Sequence, residues 1–130
     1  IEVPEGPVRD RLLHLLNNML NASLHPEVTS WERLIMSGGE YSPDFHAAIY
    51  DTGYYQPALI IQSILDEAVR KKEIAVEDSL FTATLLLDAM VSGPRRRIML
   101  QLNFANDPAT KHNYIARSLE VILTGLYTKP

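Results

Sequence analysis

Histidine is the side chain best placed for acid–base or metal chemistry near neutral pH, and this chain has four: His14, His25, His46 and His112. Their spacing matches no paired metal motif, there is no His-Glu-x-x-His, and there is no cysteine. Ligand pairs on a helix must share one face to close on an ion, so no metal and no cofactor are expected. Without cysteine the chain has no disulfides, thiol nucleophiles or thiolate sites, which fits a cytoplasmic protein. Carboxylates are plentiful, but the sequence places no pair of them in an evident acid–base site. A glycine-rich phosphate loop and a Gly-x-Ser-x-Gly elbow are both missing. The expectation is a protein that is not an enzyme.

Basic residues cluster only at Arg70-Lys71-Lys72 and Arg95-Arg96-Arg97, within a net charge of −4. A nucleic-acid surface needs many more cations facing phosphates, so these residues alone bind nucleic acid poorly. The second cluster can hold an anion or pair across a dimer, but an exposed charge run is the favoured reading. Binding chemistry is better represented. Trp31, Tyr54, Tyr55 and Phe81, with Met19, Ile35 and Leu85, have the apolar and aromatic character of a small-molecule pocket. Asn18, with His14 and Asn17 beside it, can supply polar partners to a neutral ligand. The competing reading is that the large apolar residues are ordinary core and the polar ones a solvated flank.

The elements that must position these residues read as helices. Val8, Leu12, Leu16, Met19 and Leu20 repeat at helical spacing, widened by Leu13 and Leu15, which predicts a helix from about Pro7 to Ala22. His25-Pro26-Glu27 starts a second, with Val28, Trp31, Leu34 and Ile35 on one side and Gly38-Gly39 as its stop. Ser42-Pro43-Asp44 carries the start signals of a third, whose inner face is Phe45, Ala48 and Ile49. Gly53 is expected to separate it from a fourth, Tyr54 to about Glu73, with Ile61, Ile64, Leu65 and Ala68 inward. A fifth runs from about Glu77 to Leu102, kinked or broken at Gly93-Pro94. Asp107-Pro108 starts the sixth, with Ile115, Leu119, Ile122 and Leu126 as its stripe. The fold class is therefore all-α, a six-helix bundle in one domain spanning residues 1–130. The fifth helix is apolar nearly all round and the sixth has a second apolar flank. One small core does not cover such faces, so Leu85, Met90, Ile98, Ile115, Leu119, Ile122 and Leu126 are the candidate seam of a homodimer.

The chain's 130 residues are 46% hydrophobic and 22% charged, ordinary values for a globular domain of this size. No apolar run approaches the length that spans a bilayer, and no signal peptide is visible, so no membrane partner is expected. The first residue is Ile1 rather than methionine, as expected of a fragment or a processed product.

The stretch from Gly39 to Leu102 resembles the C-terminal domain of TetR-family regulators, especially the AefR-like type. The resemblance is carried by Glu40-Tyr41-Ser42-Pro43-Asp44-Phe45, by Arg70-Lys71-Lys72-Glu73-Ile74-Ala75-Val76-Glu77-Asp78, and by Met90-Val91-Ser92-Gly93-Pro94-Arg95-Arg96-Arg97. The ending Ile122-Leu123-Thr124-Gly125-Leu126 is similar to the family's closing helix. The resemblance implies a homodimer joined by the last two long helices as a four-helix bundle. It also implies an apolar pocket for a small effector in each monomer. Ligand there releases operator DNA from N-terminal helix-turn-helix heads. No segment here resembles such a head, so contact with operator DNA is expected only through an absent N-terminal domain. The rival expectations are a small all-helical enzyme of the chorismate-mutase kind and a passive helical interaction module.

Overall fold

The computed structural model describes residues 2–37 and 43–125, with the side chains of residues 35–37 outside the described set. The helices are α1 (Val8–Ser23), α2 (Pro26–Ser37), α3 (Pro43–Tyr50), α4 (Gln56–Arg70), α5 (Ser79–Leu87), α6 (Gly93–Met99) and α7 (Pro108–Thr124). Two π-helical turns, Asp51–Tyr55 and Asp88–Ser92, join α3 to α4 and α5 to α6 without a break. The described residues thus form five continuous helical stretches rather than the six expected. Gly53 does not separate two helices, because it lies inside the first π turn. Gly93-Pro94 does not break the fifth stretch either. A proline in a helix lacks an N–H and its ring presses on the carbonyl four residues back. The wider π turn just ahead of Pro94 accommodates that strain while the helix continues.

The core is built by α1, α4, the α5–α6 stretch and α7. Leu12, Leu15, Leu16 and Leu20 of α1 are fully buried, with Val8 and Met19 nearly so. They meet Ala58, Ile61, Ile64 and Leu65 of α4, Ala83, Leu86 and Leu87 of α5, Met90 and Val91 of the second π turn, and Ile115 and Leu119 of α7. Each leucine removed wholly from water stabilises the fold by roughly 1.5–3 kcal/mol.

Local signals fix the ends. Pro7 precedes α1 and cannot cap it with a side chain; the Glu73 carboxylate does so instead, accepting the Val8 N–H at 2.9 Å across 65 residues. Asp78 accepts from the Phe81 N–H at 3.0 Å, which moves the start of α5 to Ser79. Asp107 accepts from the Thr110 N–H at 2.8 Å and from its hydroxyl at 2.7 Å. Those bonds to Thr110 hold the Asp107 carboxyl below its usual value. Helix α4 stops at Lys72, whose φ of 61° is the left-handed conformation that ends helices.

The α2–α3 side is different. Helix α3 fully buries no residue: Phe45 and Ile49 are half-buried and Ala48 is exposed, so the expected inner face is only partly covered. Among the described side chains of α2 only Thr29 is buried, while Val28, Trp31 and Leu34 are exposed. Glu32 of α2 is held by Arg95 of α6, whose Nε also donates to the Ser23 carbonyl at 3.1 Å. That carbonyl ends α1 and has no partner within its own helix, so one guanidinium ties three helices together.

Candidate functional site

The residues expected to form a pocket are not gathered in one place. Met19 is in the core, 8% exposed. Trp31 on α2 is 60% exposed, Phe81 on α5 61% and Leu85 50%. Ile35 lies outside the described residues as regards its side chain. Asn18 opens onto a polar hollow of about 430 Å³ with His14, Asn17 and His112. There Asn18 lies 3.0 Å from His14 on the same helix, His14 also meets the Glu2 carbonyl at 3.0 Å, and Asn17 lies 3.0 Å from His112 and so joins α1 to α7.

Tyr54 stands apart from this scatter. It sits in the first π turn, half-buried against the core, with its ring 5.2 Å from that of Tyr50. Its hydroxyl donates to Asp88 Oδ1 at 2.8 Å, across to the second π turn. Partial desolvation, and then the bond to the Asp88 carboxylate, push its pKa up to about 12. It is therefore a hydrogen-bond donor throughout the neutral range. Tyr55, next to it, is exposed. This corner offers aromatic faces and a carboxylate already engaged by a phenol, at the junction of α3 and α4. Aromatic character marked Tyr54 in the sequence; Asp88 carried no signal, since an exposed aspartate in a helix is unremarkable in a sequence.

A second feature lies between α5 and α7. Phe81, Thr82, Leu65, Val76, Ile122 and Leu123 line an apolar cleft of about 510 Å³, with Glu77 and Asp78 at its edge. Beyond it, Leu85, Val121 (52% exposed) and Ile122 (39%) leave large apolar area in water. The expected dimer seam needs correction here. Met90, Ile115 and Leu119 are 0% exposed, spent on the protomer's own core. Ile98 is half-buried, and Leu126 lies outside the described residues. The apolar residues left over are on the opposite flanks of the same helices.

Arg11 and Arg95, both largely withdrawn from solvent, are engaged, and Lys111 of α7 is buried as well. Arg11 meets Glu67 at 2.9 Å, and Arg95 meets Glu32 and the Ser23 carbonyl. Arg97 stacks over Tyr114 at 5.5 Å.

A family model for the AefR-like transcriptional repressor C-terminal domain, a TetR-type domain, matches residues 10–127. The chain belongs to that family. No curated protein and no solved structure matched in the comparisons. The match covers every helix of the core together with α2 and α3, so an AefR-like domain here comprises both the packed and the open side. Such a domain is a regulatory part and typically not enzymatic. No helix among the described residues is long and apolar enough to cross a membrane.

Proposed function

We propose that this domain pairs two copies of a TetR-type repressor and senses a small, mostly apolar or aromatic effector, whose binding controls operator DNA held by an N-terminal domain, inside the cytoplasm. The pairing face comprises the outer flanks of α5 and α7, with Phe81, Leu85, Val121 and Ile122 at its centre. The observation that carries it is the exposure of these four residues, between 39% and 61%, on two helices whose inner faces are already satisfied. Apolar area on that scale is favourable to bury, at roughly 25 cal/mol per Å², and a second copy would also close the cleft beside Phe81. The effector binds at the first π turn, where Tyr54 and Tyr55 supply aromatic surface and the Tyr54–Asp88 pair supplies the polar contact that orients it, with Trp31 of α2 as a separate candidate contact.

Light scattering at micromolar concentration tests the pairing: twice the 14.7 kDa of one chain is expected, and Leu85→Arg should give a folded monomer with unchanged helical circular dichroism. A wild-type monomer sinks the dimer. A thermal-shift screen with lipophilic and aromatic compounds tests the sensing half. A hit whose shift survives both Trp31→Ala and Tyr54→Ala places the effector elsewhere.

A further inference from the structure

One backbone device occurs twice in this chain. In each helical stretch of the core that contains an internal proline, an aspartate stands six residues ahead of it: Asp51 before Pro57 and Asp88 before Pro94. In both, the turn that starts at the aspartate is π-helical. In both, the residue just before the proline donates its N–H to the aspartate's own carbonyl oxygen, five residues back: Gln56 to Asp51, and Gly93 to Asp88. The physical reason is shared. The proline cannot donate, the carbonyl four residues behind it is pushed aside, and the chain widens by one residue to recover a hydrogen bond. A turn of this kind holds fewer alternatives to its few bonds than a regular helix does, which makes it a natural place to bend.

The two turns support unlike loads. The first carries α3, which buries no residue of its own. The second sends Met90 and Val91 into the core, packed on α1 and α7. Tyr54 belongs to the first turn and Asp88 opens the second, and the Tyr54 hydroxyl bonds the Asp88 carboxylate at 2.8 Å. That bond links the stretch that carries α3 to the second π turn in the packed half, and thereby to α7 of the proposed pairing face.

We infer that the two proline-linked π turns are a coupled pair of hinges and that the Tyr54–Asp88 hydrogen bond is the latch that sets where α3 stands relative to the α5–α6 stretch. With the bond made, α3 is held. A ligand carrying a phenol or an amine competes for the Asp88 carboxylate, frees Tyr54 and releases α3. Only this last step rests on the effector reading above; the latch itself is a property of the protein without ligand.

Hydrogen exchange by mass spectrometry on the whole chain, with no ligand added, tests the latch through Tyr54→Phe, Asp88→Ala and the double variant. Tyr54→Phe removes one hydroxyl and keeps the ring against Tyr50. A bond to a partly exposed carboxylate predicts roughly five- to tenfold faster exchange of the α3 and first-turn amides. The amides of Asp88–Ser92 should quicken in the same variant, while those of α1 and the middle of α4 stay unchanged. The double variant should exchange no faster than either single one, because both delete the same bond. Unchanged exchange in α3, a rise confined to the first turn, or a double variant that multiplies the two single effects overturns the coupling. If Asp88→Ala does not fold, the response of the second turn to Tyr54→Phe decides alone. A failed compound screen leaves this outcome untouched, so the latch and the effector reading stand or fall separately.

Discussion

The packed half of the domain and its α2–α3 side obey the same helix-forming rules and end differently. In α1 the apolar stripe meets α4, the second π turn and α7, and Leu12, Leu15, Leu16 and Leu20 are fully buried. In α2 a stripe of similar spacing leaves Val28 40%, Trp31 60% and Leu34 58% exposed. Helix α1 is fixed by burial that many partners share, whereas α2 is tied to α6 by the Arg95–Glu32 ion pair. The contrast separates stability from responsiveness: a region with few buried contacts opens at low free energy and can be moved by modest binding energy.

The widest test of that contrast compares two truncations. Leu16→Ala should cost about 2–5 kcal/mol in a denaturant titration, while Trp31→Ala should change stability by less than about 0.5 kcal/mol, as surface substitutions do. Equal losses would erase the distinction between the halves. The anchor of α2 comes next. Arg95→Met keeps the stem of the side chain but removes both of its polar contacts, and should cost roughly 1–2 kcal/mol, discounted for the exposure of Glu32. Hydrogen exchange should quicken mainly in α2; a loss spread evenly over the core would show that Arg95 supports the packed half as well. A smaller effect of opposite sign is expected at the end of α4. Lys72 has φ 61° and Gln101 has φ 56°, a conformation glycine adopts without the clash of a Cβ. Lys72→Gly should therefore stabilise by about 1 kcal/mol and raise the melting temperature by a few degrees.

The smallest effect is a slope with pH. The Glu67 carboxyl is held below its usual 4.5 by hydrogen bonds from Arg11 and Lys71, and by their charges. A carboxyl with a depressed value in the folded state lends stability above its unfolded value, and that contribution fades as pH falls through the folded one. Stability should thus decline below pH 4.5, and Glu67→Gln should flatten that decline. Because this group belongs to the packed half, the flattening should appear in global unfolding and not in the exchange of α3. The opposite pattern would break the division between the halves.

Much of the packed half was legible beforehand. The stripes of α1 and α4 read as inward faces and are inward, since four helices around one core leave each apolar stripe a single place to go. Asp107-Pro108 marked the start of α7 because capping is decided within one turn of chain. Helix α5 began later than expected, at Ser79, because Asp78 rather than an earlier residue caps it. At Gly93-Pro94, where a kink or a break was expected, the irregularity is a π turn and the helix continues: local rules report the strain but not whether a wider turn relieves it. Three of the seam residues were misassigned for a related reason. On a helix apolar nearly all round, periodicity cannot say which flank faces the core, so Met90, Ile115 and Leu119 were named for a surface they do not reach.

What the sequence determined by itself was the all-helical fold, the caps and the surplus of apolar surface on α5 and α7. Each depends on neighbours within a few residues or on composition, and those are written directly in the chain. The tertiary structure alone decided that Leu85 and Ile122 face water while Leu86 and Leu119 do not, that Arg95 holds α2, and that Tyr54 meets Asp88. These pairs lie far apart along the chain, and only packing in three dimensions brings a phenol and a carboxylate 34 positions apart to 2.8 Å.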